Sequence, residues 1–183
     1  MSVGLLILRV VVGGLLIGHG TQKLFGWFGG AGFHRTAEGF AAMGFRPGRP
    51  FAAAAGLGEA AGGALLLFGL ATPIGAAAIV GVMTVAIVSV HLENGPWNTN
   101  GGFELPLTNA TIAAVLAFTG PGRLSLDHAI GWRPWGVAWG VGTVMTGVLA
   151  AAAVLLTRTA PPPAEIERPL HGSPEHATGR TAP

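Results

Sequence analysis

Cysteine is absent from the 183-residue sequence, and charged residues make up only 10% of it. Without a thiol the chain has no disulfide, no thiolate nucleophile and no cysteine ligand for iron–sulfur or zinc. Charged residues normally supply about a quarter of a soluble domain. Their scarcity, together with a mean hydropathy of +0.58, excludes an ordinary soluble domain. The few basic residues form no stripe or block, so we expect no nucleic-acid partner.

Long apolar runs divide most of the chain into candidate membrane spans. A hydrocarbon core of ~30 Å needs about 20 helical residues, so apolar runs of this length predict spanning helices. Such helices are predicted at about 3–23, 51–71, 74–91, 105–119 and 135–157. The chain begins without a basic segment or a cleavage site, so the first run is interpreted as a retained helix. The sequence predicts an all-α, multi-pass membrane protein: a four-helix transmembrane bundle plus a fifth C-terminal transmembrane helix.

Composition changes along the chain predict three parts. Residues 1–127 would form the four-helix membrane domain, 128–157 a linker and the additional transmembrane helix, and 158–183 a disordered, proline-rich tail. Apolar residues at helical spacing in 33–45 predict a short interfacial helix, with an irregular loop as the alternative. If all five helices span, loops 24–50 and 92–104 share one side with the tail. The excess of arginine on that side predicts that it is cytoplasmic.

Small residues predict where helices pack closely. Glycines four residues apart allow close backbone approach, and the sequence contains Gly14-x-x-x-Gly18 and Gly58-x-x-x-Gly62. The first pair lies in the first span and the second pair in the next. Both are expected to face neighbouring helices.

Glu59 is the most informative residue, because it interrupts a run that otherwise contains only apolar residues and glycine. A charge at the middle of a spanning helix costs roughly 2.5–3.5 kcal/mol even on the insertion scale, so such a residue usually faces the bundle interior and has a function. The antiparallel order of the first two spans brings Glu59 near the depth of Lys23 and His19. Arg9 enters from the opposite side, and its long side chain is expected to reach toward Glu59.

Further polar residues are expected near the same end of the bundle, which predicts a pocket for a small molecule or a lipid head group. The predicted members are His19, Lys23, Glu59, His91, Glu104 and Asn109. Structural interpretations stay open for several of them. Arg9 and Glu59 would form a buried ion pair without function, and Lys23 would extend toward the head groups. His91 would cap a helix, and Glu104 would stabilise the first turn of the next helix.

Several short motifs, each occurring once, follow one another over about residues 4–127. They are Leu8-Arg9, Gly18-His19-Gly20-Thr21-Gln22-Lys23-Leu24-Phe25, Gly58-Glu59, residues 62–70, His91, Gly101-Gly102-Phe103-Glu104-Leu105-Pro106-Leu107 and residues 120–127. At these positions the chain resembles the DoxX family of small bacterial membrane proteins. The resemblance implies a four-helix domain in the bacterial plasma membrane. It also implies links to terminal quinol oxidase and thiosulfate:quinone oxidoreductase complexes, and to oxidative or electrophile stress.

The leading hypothesis is a quinone- or quinol-interacting subunit or accessory of a membrane redox complex. The first four helices would enclose an apolar slot, in which Glu59 and His91 exchange protons with a quinone or hydrogen-bond its oxygen. Arg9 or Lys23 would set the ionisation of the carboxylate. The other groups of the pocket would help to bind the ring. No metal site is predicted, and membrane lipids and redox proteins are the expected partners.

Two other hypotheses stay open. The same pocket would serve a non-enzymatic protein that binds or transports a lipid or small molecule, or that holds partners as an assembly scaffold. Alternatively, the charges would only fix the register of the helices.

Overall fold

Seven α-helices make up most of residues 2–159, which are the residues that the structure, a computed structural model, describes. They are α1 (Ser2–Phe25), α2 (Gly32–Ala42), α3 (Gly48–Phe68), α4 (Thr72–Ala86), α5 (Glu104–Thr119), α6 (Leu126–Ala129) and α7 (Val137–Leu156). A π-helical turn, Ile87–His91, and a 3-10 turn, Leu92–Asn94, continue α4. The predicted tail lies outside the described residues except for Arg158 and Thr159. The all-α prediction is confirmed.

Within residues 2–159, four helices are long and apolar enough to cross a membrane: Ser2–Phe25, Gly48–Phe68, Thr72–Asn94 and Val137–Leu156. The remaining long helix, α5, has 16 residues and is therefore ~24 Å long. The range predicted for it from the sequence, 105–119, is likewise the shortest of the five predicted ranges. Its position beside α4 and α7 makes it a fifth bundle helix. The chain is thus a multi-pass membrane protein.

The long helices alternate in direction and pack around one core. α1 lies against α3, while α4 contacts α3, α5 and α7. Leu16, Leu66, Ile79 and Leu116 meet at the centre and are fully buried. This order places α2 and loop 92–104 at one end of the bundle, called here the α2 end, and residues 120–136 at the other, called the α6 end.

The predicted short helix in 33–45 is present as α2, which packs against α3. Phe45 follows it and is fully buried between Phe40 and Phe51, with ring centroids 5.7 and 5.3 Å away. Residues beyond α7 return to this corner: Arg158 Nε donates to the Met43 carbonyl at 2.7 Å, and Thr159 N donates to the Gly44 carbonyl at 3.0 Å. The loops at the α2 end and the end of α7 therefore share one side, as expected if all five helices span.

Glycine determines how closely α1 and α3 approach, but one predicted glycine pair is wrong. A Cβ at Gly20 would lie 2.5 Å from Ala60 N, and one at Gly13 would lie 2.7 Å from the Gly63 oxygen. Gly14 and Gly18 would meet nothing within 4 Å, because both lie on the outer face of α1. Spacing alone did not reveal which face of α1 is buried. The pair Gly58 and Gly62 does face α4, as expected.

Asp127 holds the α6 end together. Its carboxylate is fully buried and accepts hydrogen bonds from Ala71 N at 2.7 Å, Thr72 N at 3.0 Å and Thr72 Oγ1 at 2.6 Å. The first amide groups of a helix lack intrahelical acceptors and carry partial positive charge, so a carboxylate there stabilises α4. Asp127 therefore caps α4 from a segment 55 residues later in the chain.

Replacing Gly20 by Ala is expected to destabilise the bundle, because the new methyl group would overlap the α3 backbone. Overpacking of this kind costs roughly 1–3 kcal/mol. The midpoint of thermal unfolding in detergent measures it. Gly18→Ala is the matched control, since its Cβ has open space and alanine favours helix. Equal midpoints for the two variants would contradict the close crossing of α1 and α3.

Asp127→Ala is expected to lower the free energy of unfolding by about 1–3 kcal/mol for each buried donor left without an acceptor. Denaturant unfolding in detergent measures the loss. Asp127→Asn keeps one acceptor oxygen and should lose less. An Asp127→Ala variant as stable as the wild type would rule out this capping role.

Candidate functional site

Lys23 and Glu59 form an ion pair between α1 and α3. The distance from Lys23 Nζ to Glu59 Oε2 is 2.5 Å. The Glu59 side chain is 5% exposed and that of Lys23 is 32% exposed, so the carboxylate is enclosed while the ammonium lies toward the α2 end. Glu59 lies about three turns into α3 and Lys23 lies in the last turn of α1. Because α1 and α3 run antiparallel, Lys23 lies at the same depth as Glu59, as the sequence predicted.

A cavity of about 650 Å³ lies beside this pair. Five predicted site residues line it: His19, Lys23, Glu59, His91 and Asn109. They come from α1, α3, the π-helical turn after α4 and the start of α5. The structure therefore brings together, at one cavity, residues that are up to 90 positions apart in the sequence.

The predicted approach of Arg9 to Glu59 is wrong. Arg9 is 14 residues before Lys23 in the same helix, which separates them by ~21 Å along the axis. Arg9 is buried at the α6 end instead, where Nη1 donates to the Leu67 carbonyl at 3.3 Å and Nη2 donates to the Leu124 carbonyl. It joins α1 to the end of α3 and to the segment before α6, and it is not among the residues that line the cavity.

Glu104 also lies outside the cavity lining. It is exposed at the first residue of α5, and its Oε2 accepts a hydrogen bond from Asn98 N at 3.0 Å. Asn98 itself does line the cavity. The position of Glu104 fits the structural alternative, in which an acid stabilises the first turn of a helix. Its effect on the cavity is thus through the loop that it holds.

His91 is oriented by the loop that follows it. Its Nδ1 lies 2.6 Å from the Gly101 carbonyl oxygen. Because a carbonyl only accepts, Nδ1 carries a proton, and Nε2 is the acceptor when the ring is neutral. His19 Nδ1 lies 3.2 Å from Gln22 Oε1. The two imidazoles therefore line the cavity from two sides, His19 from α1 and His91 from the π-helical turn after α4.

Most of the cavity wall is apolar. Part of it belongs to α7, a helix that the sequence predicted but did not place at the cavity. Phe40, Phe51, Val82 and Leu105 contribute side chains from α2, α3, α4 and α5. The predicted slot was formed by the first four spans alone. Residues of α7 also line it, namely Ala150, Ala151 and Val154. The prediction is corrected because α7 packs against α4, which no pattern in the sequence indicated.

Three polar lining residues, Thr36, Ser89 and Asn98, were not predicted from the sequence, and Ser89 is the most unusual of them. It lies within the π-helical turn, and its buried Oγ has no hydrogen-bond partner. A single serine in an apolar helix gives no signal in the sequence.

Among the described residues, 2–159, no group of three or more His, Asp or Glu side chains could hold a metal ion.

Comparison with known proteins gives a family match for about the first half of the chain. Residues 4–92 match the DoxX family model. A curated Haemophilus influenzae protein, described as an uncharacterized protein, is 35% identical over 66 residues, which cover 36% of this chain and 44% of that protein. The chain thus spans less than half the length of this relative. No solved structure matches the chain. The matched region contains Lys23, Glu59 and His91, and the predicted domain boundary at 127 stays a prediction.

Removing one partner of the ion pair is expected to destabilise the protein more than removing both. Breaking a fully buried pair costs roughly 3–5 kcal/mol, and a smaller loss is expected here because Lys23 is about one-third exposed. Unfolding of Lys23→Met, Glu59→Met and the double variant forms the double-mutant cycle. Strictly additive losses would contradict a direct pair.

Proposed function

We propose that this chain, whose residues 4–92 match the DoxX family model, binds a quinone or quinol in the cavity beside Lys23 and Glu59. In this proposal it acts as a quinone-interacting subunit or accessory of a redox complex in the bacterial plasma membrane. The observation that carries the proposal is the Lys23–Glu59 ion pair, with its buried carboxylate, in the wall of a largely apolar cavity.

The size and polarity of the cavity support a lipophilic ring as the ligand. Ligand cavities usually measure about 300–1,000 Å³ and combine apolar walls with a few polar groups, and this one measures about 650 Å³. Phe40, Phe51 and Met83 offer apolar contacts for a ring or its tail. The polar groups are concentrated where α1, α3 and the π-helical turn meet.

The ionisable groups offer hydrogen-bond donors for the quinone and acceptors for the quinol. A quinone carbonyl accepts hydrogen bonds, which the Lys23 ammonium donates. A quinol hydroxyl donates, and the Glu59 carboxylate or His91 Nε2 accepts. Glu59 and His91 are therefore suited to move protons to and from the ring oxygens. A partner protein would exchange electrons with the ring, while this chain positions the ring.

Charge distribution supports a cytoplasmic α2 end. Arg35, Arg46, Arg49 and Arg158 belong to this end, whereas Arg123 and Arg133 belong to the α6 end. Basic residues favour the cytoplasmic side in short loops. The cavity would then lie in the cytoplasmic half of the membrane, within reach of a cytoplasmic or membrane redox partner.

Mass spectrometry of small molecules that co-purify with the protein tests the proposal. We expect quinone in the wild type and a roughly ten- to hundredfold weaker retention in Glu59→Gln, since hydrogen bonds to charged groups contribute about 1.5–3 kcal/mol. Glu93→Gln is the matched control, because Glu93 is exposed and lies outside the cavity lining.

Three outcomes would contradict the proposal. Wild-type protein without quinone, equal retention in both variants, or a phospholipid or other solute lost in Glu59→Gln would each do so. The last result would favour the lipid-binding or transport alternative.

A further inference from the structure

The π-helical turn Ile87–His91 changes how α4 presents its side chains to the cavity. Single π-helical turns inside α-helices are rare and are frequent at functional sites. Three of the five residues in this turn, Ser89, Val90 and His91, line the cavity. The irregular turn thus coincides with the cavity wall that contains the imidazole of His91.

Ser89 differs from most hydroxyl-bearing residues of the described helices. Helical hydroxyls commonly donate to the carbonyl four residues earlier. Several threonines of the described helices do so at 2.7–2.8 Å: Thr36, Thr84, Thr108, Thr111, Thr119 and Thr146. The Ser89 hydroxyl has no such partner, although its oxygen is buried. Leaving a buried hydroxyl unpaired is unfavourable, so its presence needs an explanation.

We propose that the Ser89 hydroxyl, which is enclosed in the structure, turns toward the cavity by rotation about the Cα–Cβ bond and binds a second oxygen of the ligand whose first oxygen meets the Lys23–Glu59 pair. This inference rests on the proposed function and deepens it. The ion pair belongs to α1 and α3, whereas Ser89 belongs to the turn after α4, so the two contacts come from different walls of one cavity. A flat ring with oxygens on opposite edges, as in a 1,4-benzoquinone, has the two oxygens that this proposal requires.

A hydroxyl suits both redox forms of such a ring. Serine donates one hydrogen bond and accepts two. It therefore donates to a quinone carbonyl and accepts from a quinol hydroxyl without any change in its own charge. Ser89 is accordingly a residue that selects ligands with a second oxygen, and the proton-exchanging groups stay Glu59 and His91.

The test measures dissociation constants for two probes, a short-chain 1,4-benzoquinone and the corresponding phenol, which lacks the second ring oxygen. We expect Ser89→Ala to weaken benzoquinone binding about three- to tenfold, as for a neutral hydrogen bond, and to leave phenol binding unchanged. Thr84→Val is the matched control on the same helix, because the Thr84 hydroxyl already donates to the Val80 carbonyl at 2.7 Å.

Three other results are possible, and each contradicts a specific part of the proposal. If wild-type protein binds benzoquinone and Ser89→Ala binds it equally well, the role of Ser89 is wrong while the proposed function stands. If Ser89→Ala weakens both probes equally, the serine supports the shape of the cavity and contacts no second oxygen. If the wild type binds neither probe, the proposed function and this inference both fail.

Discussion

A carboxylate within a hydrocarbon span requires a partner, and the pairing of Glu59 with Lys23 is the constraint on which the rest of the α2 end depends. The pair fixes α1 against α3 at one register. Close contact at that register requires residues without side chains, and glycines occupy the crossing, including Gly20. Because both charged groups also line the cavity, the same interaction that orders the two helices supplies the polar part of the candidate binding site.

The two ends of the bundle differ in what their polar groups do. At the α6 end, Arg9 and Asp127 are buried, and their hydrogen bonds go to backbone groups and to Thr72. These groups are used for structure. Within the described residues, each end has a buried polar atom without a partner, Arg9 Nε at the α6 end and Ser89 Oγ at the α2 end, but of these two residues only Ser89 lines the cavity beside the ion pair. The polar groups of the α6 end thus mainly join parts of the chain, whereas those of the α2 end also line the candidate binding site.

Sequence reasoning succeeded where one element determined the answer. Apolar runs identified every long helix, and the depth of Glu59 in an antiparallel pair indicated Lys23 as its neighbour. It failed where the answer depended on contacts between distant segments. Arg9 does not reach Glu59, because it lies ~21 Å along α1 from Lys23 and binds carbonyl groups at the α6 end. Asp127 caps a helix that begins 55 residues earlier. Ser89 and the lining residues of α7 were missed because neither a lone serine nor an alanine-rich span indicates which neighbours it will face.

Infrared difference spectroscopy of carboxyl groups, recorded on the membrane-embedded protein with and without a short-chain benzoquinone, tests the central claim most directly. The Glu59 signal is identified by its absence in Glu59→Gln. The account predicts that Glu59 gives an ionised carboxylate band in the free protein, as expected for a partner of Lys23, and that the quinone shifts this band. A Glu59 band of a protonated acid, or a carboxylate band that the quinone leaves unchanged, would contradict it.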